Sequence, residues 1–354
     1  MRSFQPLPIL AIVSVVTFAG CSGGGSAVGS AVTQATSASP SSGGSNPTTA
    51  SPAAAEPSVA TVVAPGSDAA PAEPALKELW KGTGSPAGPK DCTGSPAVDP
   101  DGQVWTALCW ADSFWVFDKK GNFLEPWGTK GSGPGQFDFA MPSADDAIGG
   151  IAFAPDGTFY TYDAGNLRIQ HFDAKRTLIG TWGSFGNGDG QFAKPTDIAV
   201  GPASDLYVAD GARGDVQVFG PDGTFKRSIG NDIGQPDHFA WFGVDGKGNV
   251  YGAEQNHSIV KYGPDGQPLL RIDCTAIDGD TTDTAIDPEG NIFVSFTSDE
   301  EPFVRGLAEF DPEGTLKHSW PGIGDYITIV DDGTAILATS NHQAYVKKFA
   351  LPKD

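Results

Sequence analysis

The chain has 354 residues, with 47 Gly and 28 Pro against 2 Met and only 18 % charged residues. Glycine and proline at that density exclude a coiled coil or a helical bundle, because both residues break helices. The formal charge of −21 repels phosphate backbones and anionic headgroups, so neither nucleic-acid binding nor membrane attachment by charge is expected.

Arg2 precedes an apolar stretch from Leu7 to Ala19 that is too short to span a bilayer and has the length of a secretory signal. It ends in Phe18-Ala19-Gly20-Cys21, which resembles the bacterial lipobox, a small residue followed by cysteine. The resemblance implies a lipoprotein signal peptide over residues 1–20, cleavage before Cys21 and acylation of Cys21. Phe18 departs from the usual Leu. Each buried acyl CH2 contributes about 0.8 kcal/mol, so several chains hold a protein firmly. The implied localisation is exported and lipid-anchored in the bacterial cell envelope, facing the periplasm or the cell surface. The anchor would be the protein's only membrane contact.

Residues 21–75 are mainly Ser, Ala, Gly, Thr and Pro. They offer too little apolar area to offset the entropy of ordering, and a disordered tether is expected. A coil of that length reaches on the order of 40 Å.

From Leu76 onward the chain repeats itself. One copy runs Gly135-Gln136-Phe137, Gly150-Ile151-Ala152-Phe153-Ala154-Pro155-Asp156-Gly157, Phe159-Tyr160-Thr161-Tyr162-Asp163, Arg168-Ile169-Gln170-His171-Phe172-Asp173 and Gly180-Thr181-Trp182-Gly183. The next begins at Gly190-Gln191-Phe192 and includes Leu206-Tyr207-Val208-Ala209-Asp210 and Val216-Gln217-Val218-Phe219. Each copy holds four short β-branched and aromatic runs separated by turn signals, the pattern of strands. First hairpins turn at Gly102, Gly157, Ser204, Gly248, Gly290 and Gly333, a recurrence of 42–55 residues. Four strands per period of that size mark propeller blades. Residues 76–354 accommodate six. The sixth copy lacks an outer strand, which Leu76-Lys77-Glu78-Leu79-Trp80 can supply, closing the ring and removing its edges.

These motifs resemble the NHL-repeat family of six-bladed β-propellers. The fold class expected is therefore all-β, with four-stranded blades over residues 76–354 and the first strand sealing the last blade. The resemblance is specific in copies two and three and loose elsewhere.

Cys92, Cys109 and Cys274 follow the lipidation cysteine. Cys92 lies before the first strand of blade one and Cys109 between its second and third strands, loops that emerge on one face in propeller topology. A Cys92–Cys109 disulfide is expected, and export permits it. Cys274 has no obvious partner.

In such propellers, ligands bind at the channel mouth on that same face. The residue before each innermost strand is Ser95, Gly150, Asp197, Trp241, Asp283 and Tyr326. Asp197 stands where the family usually has Gly, and Asp283 repeats the choice two blades on. Two carboxylates with two rings suit a cationic group or a sugar. They could also hold a divalent metal through oxygen, although no cofactor is otherwise implied. His238 lies three residues before Trp241. Without repeated histidines, the zinc site of related propeller lyases is absent, and the acidic and amide-bearing set of related lactonases is only partly echoed. Asp163, Asp210 and Glu254 end second strands, where the family's Asp caps a turn, and Arg168 matches a position that braces a loop.

The first reading is a surface-tethered binding module for a protein, peptide or glycan, with ligand residues Asp197, Trp241, Asp283, Tyr326 and His238 and no catalytic residue. The alternative is an extracytoplasmic metal-assisted lyase or hydrolase using Asp197, Asp283 and His238. A third reading packs blades five and six, with Asp299-Glu300-Glu301, on an envelope partner.

Overall fold

The structure is a computed structural model that describes residues 59–60, 73, 75–84, 92–140, 149–230, 241–254, 258–275, 277, 279–298, 305–340 and 343–352. The signal segment, Cys21, His238 and Asp299-Glu300-Glu301 lie outside the described residues. Six four-stranded antiparallel blades form the ring. From the channel outward, blade one is Ala97–Val98, Val104–Leu108, Ser113–Phe117 and Phe123–Trp127. Blade two is Gly149–Phe153, Phe159–Asp163, Arg168–Phe172 and Leu178–Trp182. Blade three is Pro195–Val200, Leu206–Asp210, Asp215–Phe219 and Phe225–Ile229. Blade four is Phe242–Val244, Val250–Glu254, Ser258–Tyr262 and Pro268–Asp273. Blade five is Asp280–Ile286, Ile292–Thr297, Arg305–Phe310 and Leu316–Pro321.

Blade six joins both parts of the chain. Tyr326–Val330, Ala335–Thr339 and Val346–Ala350 are completed by Lys77–Gly82, which pairs antiparallel with Val346–Ala350. Closure of the ring thus rests on backbone hydrogen bonds between its two ends. Two parts of the segment read as tether also meet the propeller. Val59–Ala60 runs parallel to the outer strand of blade four as a fifth strand, and Glu73 Oε1 lies 2.8 Å from His318 Nδ1 on the outer strand of blade five.

The core consists of six layers, one between each pair of neighbouring blades. Trp105 and Phe114 of blade one meet Phe159 and Phe172 of blade two. Tyr160, Tyr162 and Ile169 of blade two meet Leu206, Val208 and Phe219 of blade three. Leu337 and Val346 of blade six meet Val104, Trp115 and Phe117 of blade one, so the last layer closes the circle. Alternate residues of a strand point to opposite faces. Middle strands therefore bury both faces, as Ser113–Phe117 does at every position.

Two repeated devices hold the blades. At the hairpins an Asp side chain accepts N–H groups two and four residues on. Asp118 bonds Lys120 and Asn122 at 2.8 and 2.9 Å, and Asp245 bonds Lys247 and Asn249 at 2.9 Å each. Gly121 and Gly248 complete these turns at φ 82° and 80°, a region that suits glycine. Between blades, paired glutamines clamp the Gly-rich loops. Gln136 Oε1 accepts Gly133 N–H at 2.9 Å. Gln170 accepts Gly135 N–H at 3.1 Å and donates to Gln136 O at 2.9 Å. Gln191 and Gln217 repeat this one blade later. The Gly-Gln-Phe motif is thus the visible part of a loop-to-strand clamp. Arg168 adds to the first clamp by donating to Ser132, Gly133 and Gln136 carbonyls and pairing with Asp163.

Candidate functional site at the channel mouth

The innermost strand of each blade is a sheet edge whose outward N–H and C=O groups face the channel. Together the six edges line a cavity of about 340 Å³. A buried edge needs partners for its N–H groups. At two of the six boundaries an aspartate supplies them.

In blade three the register slips between Pro195 and Asp197, a bulge that re-aims the following side chain. Asp197 Oδ1 accepts the N–H of Ile198 at 2.8 Å, and Oδ2 accepts the N–H of Phe242 in blade four at 3.3 Å. Blade five repeats the device, with a slip between Thr281 and Asp283. Asp283 Oδ1 accepts the N–H of Thr284 at 2.7 Å, and Oδ2 accepts that of Ile327 in blade six at 2.9 Å. Both carboxyls line the cavity and are buried, at 6 % and 4 % exposure.

Burial pushes Asp197 up to about 7, against the opposing pull of its two N–H partners. Burial pushes Asp283 well above the usual carboxylate range, and the charge of Asp197 adds to the effect. Among the described residues, no basic side chain offsets either group. Burial of two carboxyls on one site favours keeping a proton there.

Trp241 and Tyr326 immediately precede the two residues whose N–H groups those aspartates bind. Their rings lie 5.7 Å apart at 41°, just outside the residues that line the cavity. The structure therefore brings the aspartates together on one cavity and pairs the two rings with each other. Ser95 lines the cavity, and Gly150 is buried against Tyr162, whose ring leaves no room for a Cβ there.

Tyr162 was not legible as part of this site. Its hydroxyl donates to Thr196 O at 2.6 Å, beside Asp197. Burial and the charges of Asp197 and Asp283 push its pKa well up. The sequence carries it as one residue in a strand, and only the neighbouring blade makes it a mouth residue.

Second-strand acids do different work. Asp163 accepts Asp138 N–H and pairs with Arg168. Asp210 accepts the N–H groups of Ala193, Lys194, Ala212 and Arg213, tying the preceding interblade loop to the following turn. Cys92 and Cys109 are joined by a disulfide in blade one. Cys274 is buried, and burial pushes its thiol up to about 12. For a divalent metal, the aspartate pair supplies two carboxyls, and among the described residues no group of three His, Cys, Asp or Glu converges to hold one. Among the described residues, the donor set falls short of a catalytic metal's.

No family model matches the chain. The protein brain tumor of Drosophila melanogaster is 28 % identical over 146 residues, which cover 39 % of this chain and 13 % of that protein. The chain thus spans only a small part of that relative. Among solved structures, a streptogramin B lyase superposes with TM-score 0.53 at 12 % identity, covering 79 % of this chain and 100 % of that one. A gluconolactonase from Xanthomonas campestris gives 0.53 at 14 %, covering 80 % and 99 %. Virginiamycin B lyase from Staphylococcus aureus gives 0.51 at 12 %, covering 77 % and 99 %. At these identities the likeness is one of fold. All three agree with the six-bladed β-propeller ring of this chain.

Proposed function

We propose that this protein is an exported lipoprotein, anchored through Cys21, whose propeller binds a basic group of a protein or peptide ligand at the channel mouth. The observation that carries the reading is the pair Asp197 and Asp283, two buried carboxyls on one cavity that no basic side chain among the described residues offsets. A ligand ammonium or guanidinium would replace the retained proton and convert both groups to carboxylates, forming charge-assisted hydrogen bonds. The Trp241–Tyr326 ring pair beside them offers cation–π contact. The charge of −21 would draw basic ligands toward the surface.

The test is calorimetric titration of the full chain with a tetralysine peptide in about 0.15 M salt, which screens distant surface charge. Its Nε-acetylated form is the control. Saturable binding is expected at pH 8, weaker at pH 6 where the proton competes, and absent for the acetylated peptide. Loss of binding in an Asp197→Asn/Asp283→Asn double variant supports the reading. Unchanged binding in that variant overturns it. For the anchor, Cys21→Ser is expected to release the protein from membranes, and continued membrane association would count against acylation.

A further inference from the structure

At the far end of the inner strands from the aspartate mouth, the hairpins of blades one and two enclose a second cavity of about 280 Å³. Its origin is one substitution in the repeat. The second hairpins of blades one, three, four and five turn at Gly121, Gly223, Gly266 and Gly314, with φ between 81° and 91°. Blade two has Arg176 at this place, at φ 66°, a left-handed conformation that penalises an L side chain.

The glycines at Gly121 and Gly223 have a packing reason. The outer-strand tryptophan of the preceding blade lies directly on them. A Cβ would come within 2.4 Å of Trp80 at Gly121 and 2.7 Å of Trp182 at Gly223. The equivalent tryptophan at the boundary of blades one and two is Trp127. There the Arg176 guanidinium intervenes, 6.0 Å from the Trp127 ring and 4.7 Å from that of Trp105, and Nη2 pairs with Glu125 at 2.8 Å. Tight closure at the other two boundaries becomes an open cleft here.

The groups around the cleft are mixed. The Asp99 carboxylate is fully engaged by Asp101 N–H, Gln103 and Trp105 Nε1. Among the described residues, Asp156 is engaged through Oδ1, by Thr158. The Asp101 side chain is exposed and makes no bond among the described residues. Arg176 pairs through Nη2 with Glu125, and among the described residues its Nε and Nη1 have no hydrogen-bond partner. Phe153, the last residue of blade two's inner strand, is half-buried and contributes a ring.

An anionic ligand would meet three aspartates around a guanidinium already paired with Glu125. A cation would meet that guanidinium. A hydroxyl is donor and acceptor at once, so a carboxylate beside a guanidinium complements a pair of neighbouring hydroxyls. A cavity of this size lies at the lower edge of ligand pockets, which run about 300–1,000 Å³, and suits one ring rather than a chain. We propose that this cleft binds a single neutral sugar ring, with Arg176, Asp101 and Asp156 bonding its hydroxyls and Phe153 facing its apolar side. The site lies at the opposite end of the inner strands from the aspartates, shares Phe153 with the channel cavity, and does not depend on the function proposed there.

The test uses saturation-transfer NMR and tryptophan fluorescence on the full chain, with glucose, galactose, mannose and N-acetylglucosamine as probes. At least one is expected to bind saturably. Arg176→Gly restores the repeat's own turn residue. It should weaken binding at least about tenfold without lowering the thermal midpoint. Asp101→Asn, which breaks no internal bond, should weaken binding severalfold. Asp197→Asn/Asp283→Asn should leave it unchanged. The proposal is overturned if none of the four sugars binds saturably, if Arg176→Gly and Asp101→Asn bind like the parent, or if glucuronate or glucosamine binds more tightly than glucose.

Discussion

The carboxyl of Asp283 accepts the N–H of Ile327 at 2.9 Å and so joins blade five to blade six at the rim of the channel. Asp197 and Phe242 repeat the bond between blades three and four at 3.3 Å. Each aspartate is therefore an interblade joint as well as a candidate ligand group. Both roles depend on its protonation.

Both carboxyls have folded pKa values above the unfolded value of about 3.9, so the folded state binds more protons than the unfolded chain. Their contribution to stability is complete below about pH 4; that of Asp197 declines as pH rises through about 7, and that of Asp283 declines as pH rises toward its own raised value. Asp283→Asn removes the coupled partner. The thermal midpoint of the parent, measured relative to that variant, should fall from pH 5 to pH 8. A difference that stays constant across this range would show that the pair does not titrate there.

Ring closure depends on Lys77–Gly82. A chain beginning after Gly84 exposes the edge of Val346–Ala350 and uncovers the layer that Trp80 helps to fill. It is expected to unfold at markedly lower temperature and to associate through the open edge, read by calorimetry and size-exclusion chromatography. A monomer of unchanged midpoint would refute closure as a source of stability.

The glutamine clamp is testable at Gln217. Replacement by Ala leaves Gly190 N–H and Gln191 C=O without their partner, at a cost of about 1–3 kcal/mol for each buried group that stays unpaired. Denaturant unfolding should show a loss in that range. Gln217→Glu keeps the acceptor and loses the donor, so it should fall between the parent and Gln217→Ala.

The Cys92–Cys109 bond spans a sequence separation of 17. In the loop-entropy model a crosslink of this size contributes about 3 kcal/mol. Cys92→Ser/Cys109→Ser should lower unfolding free energy by a comparable amount under oxidising conditions, and reductant should have little further effect on the double variant.

Local patterns carried most of the fold. Four β-branched and aromatic runs per period, Asp-Gly turns and a missing last strand specified the blades and their closure, because turn chemistry and strand alternation act between residues near in sequence. The same locality placed Asp197, Asp283, Trp241 and Tyr326 at the inner-strand starts. Contacts between blades were not legible. That Asp197 bonds Phe242, that Tyr162 reaches Thr196, and that Arg176 separates Trp127 from a turn where its counterparts hold glycine are relations between residues far apart in the chain, set by how neighbouring sheets face each other. Burial follows from that packing as well. The unusual proton affinity of the two mouth carboxyls is therefore a property of the assembled ring, since only there are they removed from water.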